Sequence, residues 1–128
     1  MAEKKRVGLI REYYDILNEW MHLIEENQNI GRILTKIGVK QIAIYGMGSM
    51  AIHIINMLKN SDIEVVCVMD SEPLVYYDVK TSTIDNEPLE VDLIIYTNPN
   101  EDDEVLEKLK KISKVMYIGD VIFDNIKV

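Results

Sequence analysis

Two closely spaced glycines, Gly46 and Gly48, connect two apolar segments in the stretch QIAIYGMGSMAIHIINML, which begins at Gln41. Together with Ala51 they form the pattern G-x-G-x-x-A. In this pattern the first glycine permits a tight turn, and the second leaves room for a phosphate beside the backbone. The small third residue allows close packing of helix on strand. The pattern therefore predicts an anion site at the start of a helix, where peptide N–H groups point at the ligand.

The predicted donors are the backbone N–H groups of the four residues from Met47 to Met50, and the hydroxyl of Ser49 adds another. Asp70 ends the next apolar run, 24 residues after Gly46. A carboxylate at about this spacing binds a ribose hydroxyl in dinucleotide sites. The residues that follow, SEP, include no arginine for a 2′-phosphate, which favours NAD or another nucleotide with a free ribose. The same glycines are also compatible with a turn that only joins a strand to a helix.

Side chains suited to catalysis are few. We interpret His22 and His53 as packing or helix-face residues, although His53 would reach a phosphate at Gly48 if it faced the crevice. The acidic run NPNEDDE at 98–104 is interpreted as a helix start, because carboxylates stabilise the positive end of the helix dipole, and not as a metal site. No nucleophile–base pair, paired carboxylates or metal-ligand spacing stands out. The sequence favours a binding module over a catalyst.

The elements that position these residues alternate along the chain. Apolar runs predict strands at 42–45, 64–69, 91–97 and 115–118, with a short third strand at 75–79 or 79–83. Helices are predicted at 50–58 and from 98 to 112, with a last helical turn and a tail over 119–128. This alternation predicts an α/β fold, a doubly wound parallel sheet of about five strands in the order 3-2-1-4-5.

An extra helical segment, 1–38, precedes the predicted core, 39–128, within a single domain. Apolar residues at three- and four-residue steps predict an amphipathic helix over 9–26. A shorter helix follows, and Gly38 is expected to end it. Four residues of this shorter helix are expected to point inward: Ile30, Ile33, Leu34 and Ile37.

The long helix carries more apolar surface than one small sheet needs to cover, notably at Tyr13, Leu17, Trp20 and Ile24. This surplus predicts a homodimer formed through the N-terminal helix. The alternative is a helix that folds back on its own sheet.

Composition excludes several classes of partner. The 128-residue chain is 48% hydrophobic and has a formal net charge of −8, which disfavours nucleic acid. No apolar stretch approaches the ~20 residues that span a bilayer, so we predict no membrane insertion and a cytoplasmic location. The single cysteine, Cys67, lies in an apolar run and is predicted to be a core residue.

The segment IGVKQIAIYGMGSMAIHIINMLKNSDIEVVCVMD resembles the Rossmann-type nucleotide-binding domains of bacterial surface-polysaccharide biosynthesis. More distantly, it is similar to the N-terminal domain of sugar O-acyltransferases, which holds a nucleotide-sugar. The resemblance implies a site in which the glycine turn contacts phosphate, an acidic residue lies near a ribose or base, and two further residues face the same crevice. The residues implied to contact phosphate are Gly46, Met47, Gly48 and Ser49. The implied acidic residue is Asp70, and the two further residues facing the crevice are Thr97 and Asn98. The third glycine of the family pattern is replaced here by Ala51, and apolar Ile52 and His53 follow where more polar residues are expected.

Three functional hypotheses follow from the sequence. The first is a nucleotide or nucleotide-sugar binding module of surface-polysaccharide assembly, without chemistry of its own. The second is a subunit of an NAD-dependent sugar-nucleotide oxidoreductase, completed by a partner. The third is an adaptor that keeps the fold and binds no ligand.

Overall fold

The computed structural model describes residues 2–26, 29–46, 48–70, 80–84 and 90–124. Helices and strands alternate through most of these residues. In chain order they are α1 (Ala2–Glu25), α2 (Ile30–Lys36), β1 (Gln41–Tyr45), α3 (Ser49–Leu58), β2 (Glu64–Met69), β3 (Thr81–Ser82), β4 (Leu93–Tyr96), α4 (Asp103–Ile112), β5 (Val115–Tyr117) and α5 (Ile118–Asp124).

The five strands form one sheet in the order β3-β2-β1-β4-β5, and every neighbouring pair is parallel. The predicted α/β class and strand order are therefore confirmed. Central β1 places Tyr45 beside Met69 of β2 and beside Tyr96 of β4. The strand order reverses at β1, which creates the crevice at the carboxyl ends of the strands where ligands bind in open α/β sheets.

The two faces of the sheet carry separate cores because side chains alternate along a strand. Ile42 and Ile44 belong to the larger cluster, which also includes buried residues of α1, α2, α3 and α5. Ala43 and Tyr45 belong to the smaller cluster, which includes Leu109 of α4. Cys67 lies in this second cluster and is 2% exposed, so its prediction as a core residue is confirmed, and burial raises the pKa of its thiol.

Several predicted boundaries are wrong by a few residues. β4 is shorter than the predicted 91–97, and β5 ends at Tyr117 because Ile118 already begins α5. β3 falls within the predicted 79–83, and Asp70 N–H donates to Ser82 O on it at 3.1 Å. The alternative third strand at 75–79 lies outside the described residues.

The N-terminal helix is longer than predicted, since α1 begins at Ala2 and not near residue 9. One face of α1 packs on the larger core through Ile16, Trp20 and Leu23, each at most 3% exposed. The helix thus folds back on its own domain, which is the alternative that the sequence left open. Other large apolar residues of α1 stay exposed, among them Leu17 at 41% and Ile24 at 43%.

The shorter helix α2 buries Ile30, Ile33 and Leu34 as predicted. Ile37 is 49% exposed, so the prediction that it points inward is wrong. Ile37 is the C-cap of α2 and no longer has helical backbone angles, so the helical spacing that points the earlier residues inward does not apply to it. Gly38 follows with a φ of +83°, and its N–H donates to Thr35 O at 3.0 Å. The prediction that Gly38 ends the helix is confirmed. No helix among the described residues is long and apolar enough to cross a membrane.

Candidate functional site

The first glycine of the turn has a conformation and surroundings that favour glycine. Gly46 directly follows β1 with a φ of +107°, and its N–H donates to Met69 O at 2.8 Å. A Cβ built on Gly46 would collide with the side-chain oxygen of Thr97. The turn therefore needs glycine both for backbone conformation and for space.

Thr97 was predicted to face the crevice, and the structure places it beneath the turn. It is 4% exposed, its N–H donates to Tyr45 O at 3.2 Å, and its hydroxyl makes a long contact of 3.5 Å with the same oxygen. The side chain of Thr97 thus supports the end of β1 next to Gly46. Sequence reasoning placed Thr97 at this edge of the sheet, but the buried threonine supports the turn and does not offer its hydroxyl to solvent.

The described residues leave open space around the second glycine. Gly48 has a φ of +119° and is the N-cap of α3. Apart from its chain neighbours, no described atom lies within 4 Å of the place that a Cβ on Gly48 would occupy. This is the room beside the backbone that the glycine pattern predicts for an approaching ligand.

The start of α3 differs from the starts of α2 and α4. Asn29 caps α2 by accepting from Arg32 N–H at 2.9 Å, and Asp102 caps α4 by accepting from Glu104 N–H at 3.0 Å. At Gly48 there is no side-chain cap, and the first turn of α3 contains no acidic residue. The first N–H groups of a helix need partners from outside the helix. An anion would satisfy those of α3 and would interact favourably with the helix dipole.

The remaining residues of the glycine pattern divide between site and core. Ser49 is the first helical residue and is exposed. Met50 is 4% exposed and its side chain belongs to the larger core, so only its backbone N–H can serve a ligand. Ala51 is 3% exposed in the same core, where a small residue lets α3 approach the sheet closely. Met47 lies outside the described residues.

Asp70 immediately follows β2 and is half-buried. Its neighbour Met69 supplies the carbonyl that holds Gly46 N–H. Asp70 is therefore brought beside the glycine turn by the parallel pairing of β1 and β2. This is the juxtaposition that the spacing of Gly46 and Asp70 predicts for a phosphate and a ribose site.

Asn98 has a local role in the structure. Its side-chain oxygen accepts from Asn100 N–H at 3.0 Å, and its carbonyl accepts from Glu101 N–H at 3.2 Å. These bonds build a turn, and α4 begins only at Asp103 with Asp102 as its cap. The prediction that a helix starts at Asn98 is wrong because two residues of this segment, Asn98 and Asp102, can each cap a turn, and the later one leads into the helix.

Two tyrosines at the ends of neighbouring strands lie side by side next to this edge. The rings of Tyr96 and Tyr117 are 5.3 Å apart, and Tyr117 Oη donates to Glu12 Oε1 of α1 at 3.2 Å. Burial, with the nearby Glu12 carboxylate, raises the pKa of Tyr117 well above its usual value, and burial also raises the pKa of Tyr96. Sequence reasoning did not single out Tyr117 or Glu12, although Tyr117 lies within the predicted strand at 115–118.

Each of the two histidines contacts one neighbouring side chain. The ring of His53 makes an edge-to-face contact with Trp20, at a centroid distance of 6.1 Å. This contact fits the packing interpretation of His53. His22 Nδ1 lies 3.7 Å from Glu25 Oε2, one turn along an exposed face of α1. Among the described residues, no group of three or more His, Cys, Asp or Glu side chains could hold a metal ion.

A separate groove of about 510 Å³ lies at the other end of α3 from Gly48. It is open and is lined by residues of α2 and of the loop after α3, including Arg32, Lys36 and Asp62. No sequence pattern predicted it.

Comparison of the chain with protein-family models, with curated proteins and with solved structures gives no match. The fold defines the class: a doubly wound α/β protein with a Rossmann-like sheet. The resemblance to polysaccharide-biosynthesis domains stays a prediction.

Proposed function

We propose that this protein is a nucleotide or nucleotide-sugar binding module, with the ligand's phosphates at the start of α3. The observation that supports the proposal most directly is the open space at Gly48, at the N-terminus of a helix that has no side-chain cap. Backbone amides without a side-chain cap at the positive end of a helix form a site suited to phosphate. The site lies where the strand order reverses, which is the ligand position expected for this class of sheet.

Asp70 supports a nucleotide over a simple anion. It follows β2 beside the glycine turn, where its carboxylate would accept from a ribose hydroxyl. The chain continues from Asp70 as SEP, so a 2′-phosphate would meet negative charge there. We therefore propose NAD or a nucleotide-sugar, and not NADP, as the ligand.

The module is proposed to have no chemistry of its own. Thr97 buries its hydroxyl and the ring of His53 contacts Trp20, an arrangement that favours structural roles for both residues. In keeping with the sequence resemblance, we propose a role in bacterial surface-polysaccharide biosynthesis. We place this role in the cytoplasm, the compartment predicted from the sequence.

The module is further proposed to work as a homodimer through α1. Five of the seven exposed large hydrophobic residues that the described part of the chain presents lie on this helix. Such an apolar surface is a liability on an isolated monomer and is typical of an interface.

A thermal-shift panel of NAD, NADH, UDP and UDP-sugars tests the ligand proposal. A ligand present at ~100 times its dissociation constant should stabilise the fold by about 2.7 kcal/mol, a shift of several degrees. Gly48→Val should abolish this shift, because its side chain would fill the space reserved for phosphate. Failure of every ligand to shift the wild-type protein would refute the proposal.

The matched control is Gly38→Val. Gly38 also has a positive φ and open space around its Cα, but it ends α2 and lies outside the glycine turn. Both variants carry backbone strain, and only Gly48→Val blocks the site. Loss of the ligand shift in both would mean that strain, and not the blocked site, is responsible.

A second readout separates the binding module from the oxidoreductase hypothesis. Turnover of NADH with a sugar nucleotide by the purified chain would support an enzyme. Binding without turnover is the outcome that our proposal expects.

A further inference from the structure

The exposed apolar residues of α1 form one continuous line along the helix. We call this line the outer stripe, and its exposed fractions range from 41% to 65%. Its residues are Ile10, Tyr14, Leu17, Met21 and Ile24. Their spacing alternates four and three residues, which is the repeat that keeps one face of a helix against a partner helix over many turns.

The outer stripe is distinct from the face that packs on the domain's own core. Each of the buried residues Ile16, Trp20 and Leu23 directly precedes a residue of the outer stripe. One helical residue is a rotation of about 100°, so the two apolar lines run side by side along α1. Packing α1 on its own sheet therefore leaves the outer stripe uncovered, and a second surface is needed to bury it.

The charges of α1 change sign along its length. Residues 2–13 contain four cationic and two acidic residues, whereas residues 14–25 contain three acidic residues and neither lysine nor arginine. Exposed side chains beside the outer stripe follow the same order, from Arg11 to Glu25. A helix with this polarity is complementary to a copy of itself that runs in the opposite direction. A parallel copy would place like charges together, and charges that flank an apolar seam select orientation in this way.

We propose that two copies of the chain pair through their outer stripes as antiparallel α1 helices related by a two-fold axis. In a register that pairs four of the five stripe residues, Ile10 faces Met21 of the second copy and Tyr14 faces Leu17. Such an interface is isologous, because the same patch is used on both subunits. The inference rests on the proposed homodimer and specifies its surface and its direction.

Sedimentation or light scattering over a range of concentrations tests the surface. The wild-type protein should approach twice the 14.8 kDa of one chain, and Leu17→Lys should return it to one chain. Since Leu17 is 41% exposed, Leu17→Lys should leave the circular dichroism spectrum unchanged. Ile37→Lys is the matched control: it removes an apolar residue that is 49% exposed outside the outer stripe, and it should leave the dimer intact.

Disulfide cross-linking tests the direction. Ile10→Cys and Met21→Cys are prepared as chains of different tag length, mixed and oxidised. Antiparallel helices should give mostly the mixed product, Ile10→Cys joined to Met21→Cys. Parallel helices would give each variant joined to itself.

The outcomes separate the proposals. A wild-type monomer at every concentration would overturn the dimer and leave the outer stripe to a different partner. A dimer that survives Leu17→Lys would overturn the surface, and cross-links of like with like would overturn the direction. None of these measurements uses a nucleotide, so the thermal-shift panel succeeds or fails independently of them.

Discussion

Thr97 lies against Gly46, so that a Cβ on this glycine would collide with the threonine's side-chain oxygen. The contact joins two strands, because Gly46 follows β1 and Thr97 follows β4. It fixes the turn from which the predicted ligand site begins. The need for glycine at position 46 thus depends on buried Thr97, which lies 51 positions later in the chain.

Gly46→Ala should therefore destabilise the fold. The positive φ costs an L-residue about 1–2 kcal/mol, and the collision with Thr97 adds about 1–3 kcal/mol. The measurement is urea unfolding followed by circular dichroism. Gly38→Ala is the control, since it has a positive φ and no such collision, and it should cost only the backbone part. The double variant Gly46→Ala/Thr97→Ala should lose less stability than the sum of the single variants, and strict additivity would contradict the contact.

Asp92 should make stability depend on pH in the acid range. Its Oδ2 accepts from the N–H groups of Lys40 and Gln41 at 2.9 and 3.0 Å, and these backbone hydrogen bonds lower the pKa of the carboxyl. Because the folded pKa lies below the unfolded value of about 3.9, the stabilisation is present above pH ~4 and is lost as pH falls through the folded pKa.

Asp92→Asn removes that titration. Urea midpoints measured between neutral pH and pH ~3 should fall less steeply for Asp92→Asn than for the wild-type protein, since the unfolded carboxylate no longer binds an extra proton. Equal slopes in the two proteins would show that the bonds to Lys40 and Gln41 do not contribute.

Trp20 combines a large buried surface with an unsatisfied donor. It is 3% exposed, and its Nε1–H has no hydrogen-bond partner in the part of the chain that the structure describes. Trp20→Ala should cost about 3–5 kcal/mol, as expected for removal of a buried aromatic ring. Trp20→Phe should cost only about 1 kcal/mol, because the lost contacts are partly offset by removal of a buried N–H that lacks a partner.

Urea unfolding of the two Trp20 variants, followed by far-ultraviolet circular dichroism, provides the comparison. If Trp20→Phe lowers the free energy of unfolding as much as Trp20→Ala does, removal of the indole N–H gives no compensating gain. That result would contradict an unsatisfied donor at Trp20.

Much of the fold is predictable because local patterns and global arrangement agree. The apolar run before Gly46 and the β-branched run before Asp70 are typical of buried strands, and alternation with helices leaves few topologies. Boundaries are less predictable. Asn98 and Asp102 are both good caps, and only the hydrogen bonds formed in the structure select Asp102 as the start of α4.

The candidate site shows the same division. The glycine turn and Asp70 are found from spacing, since parallel strands bring their carboxyl ends to one edge. Tyr117 and Glu12 are 105 positions apart, and no local pattern indicates their hydrogen bond. That contact depends on how α1 lies across the end of the sheet.

The sequence by itself determined the α/β class, the strand order and the positions of Gly46, Gly48 and Asp70, because hydrophobic periodicity and backbone freedom are properties of short segments. Only the tertiary structure decided that Thr97 is buried under the turn and that α1 has one covered and one open apolar line. Those outcomes depend on which apolar side chains become buried in the shared core. That is decided only when distant segments of the chain pack together.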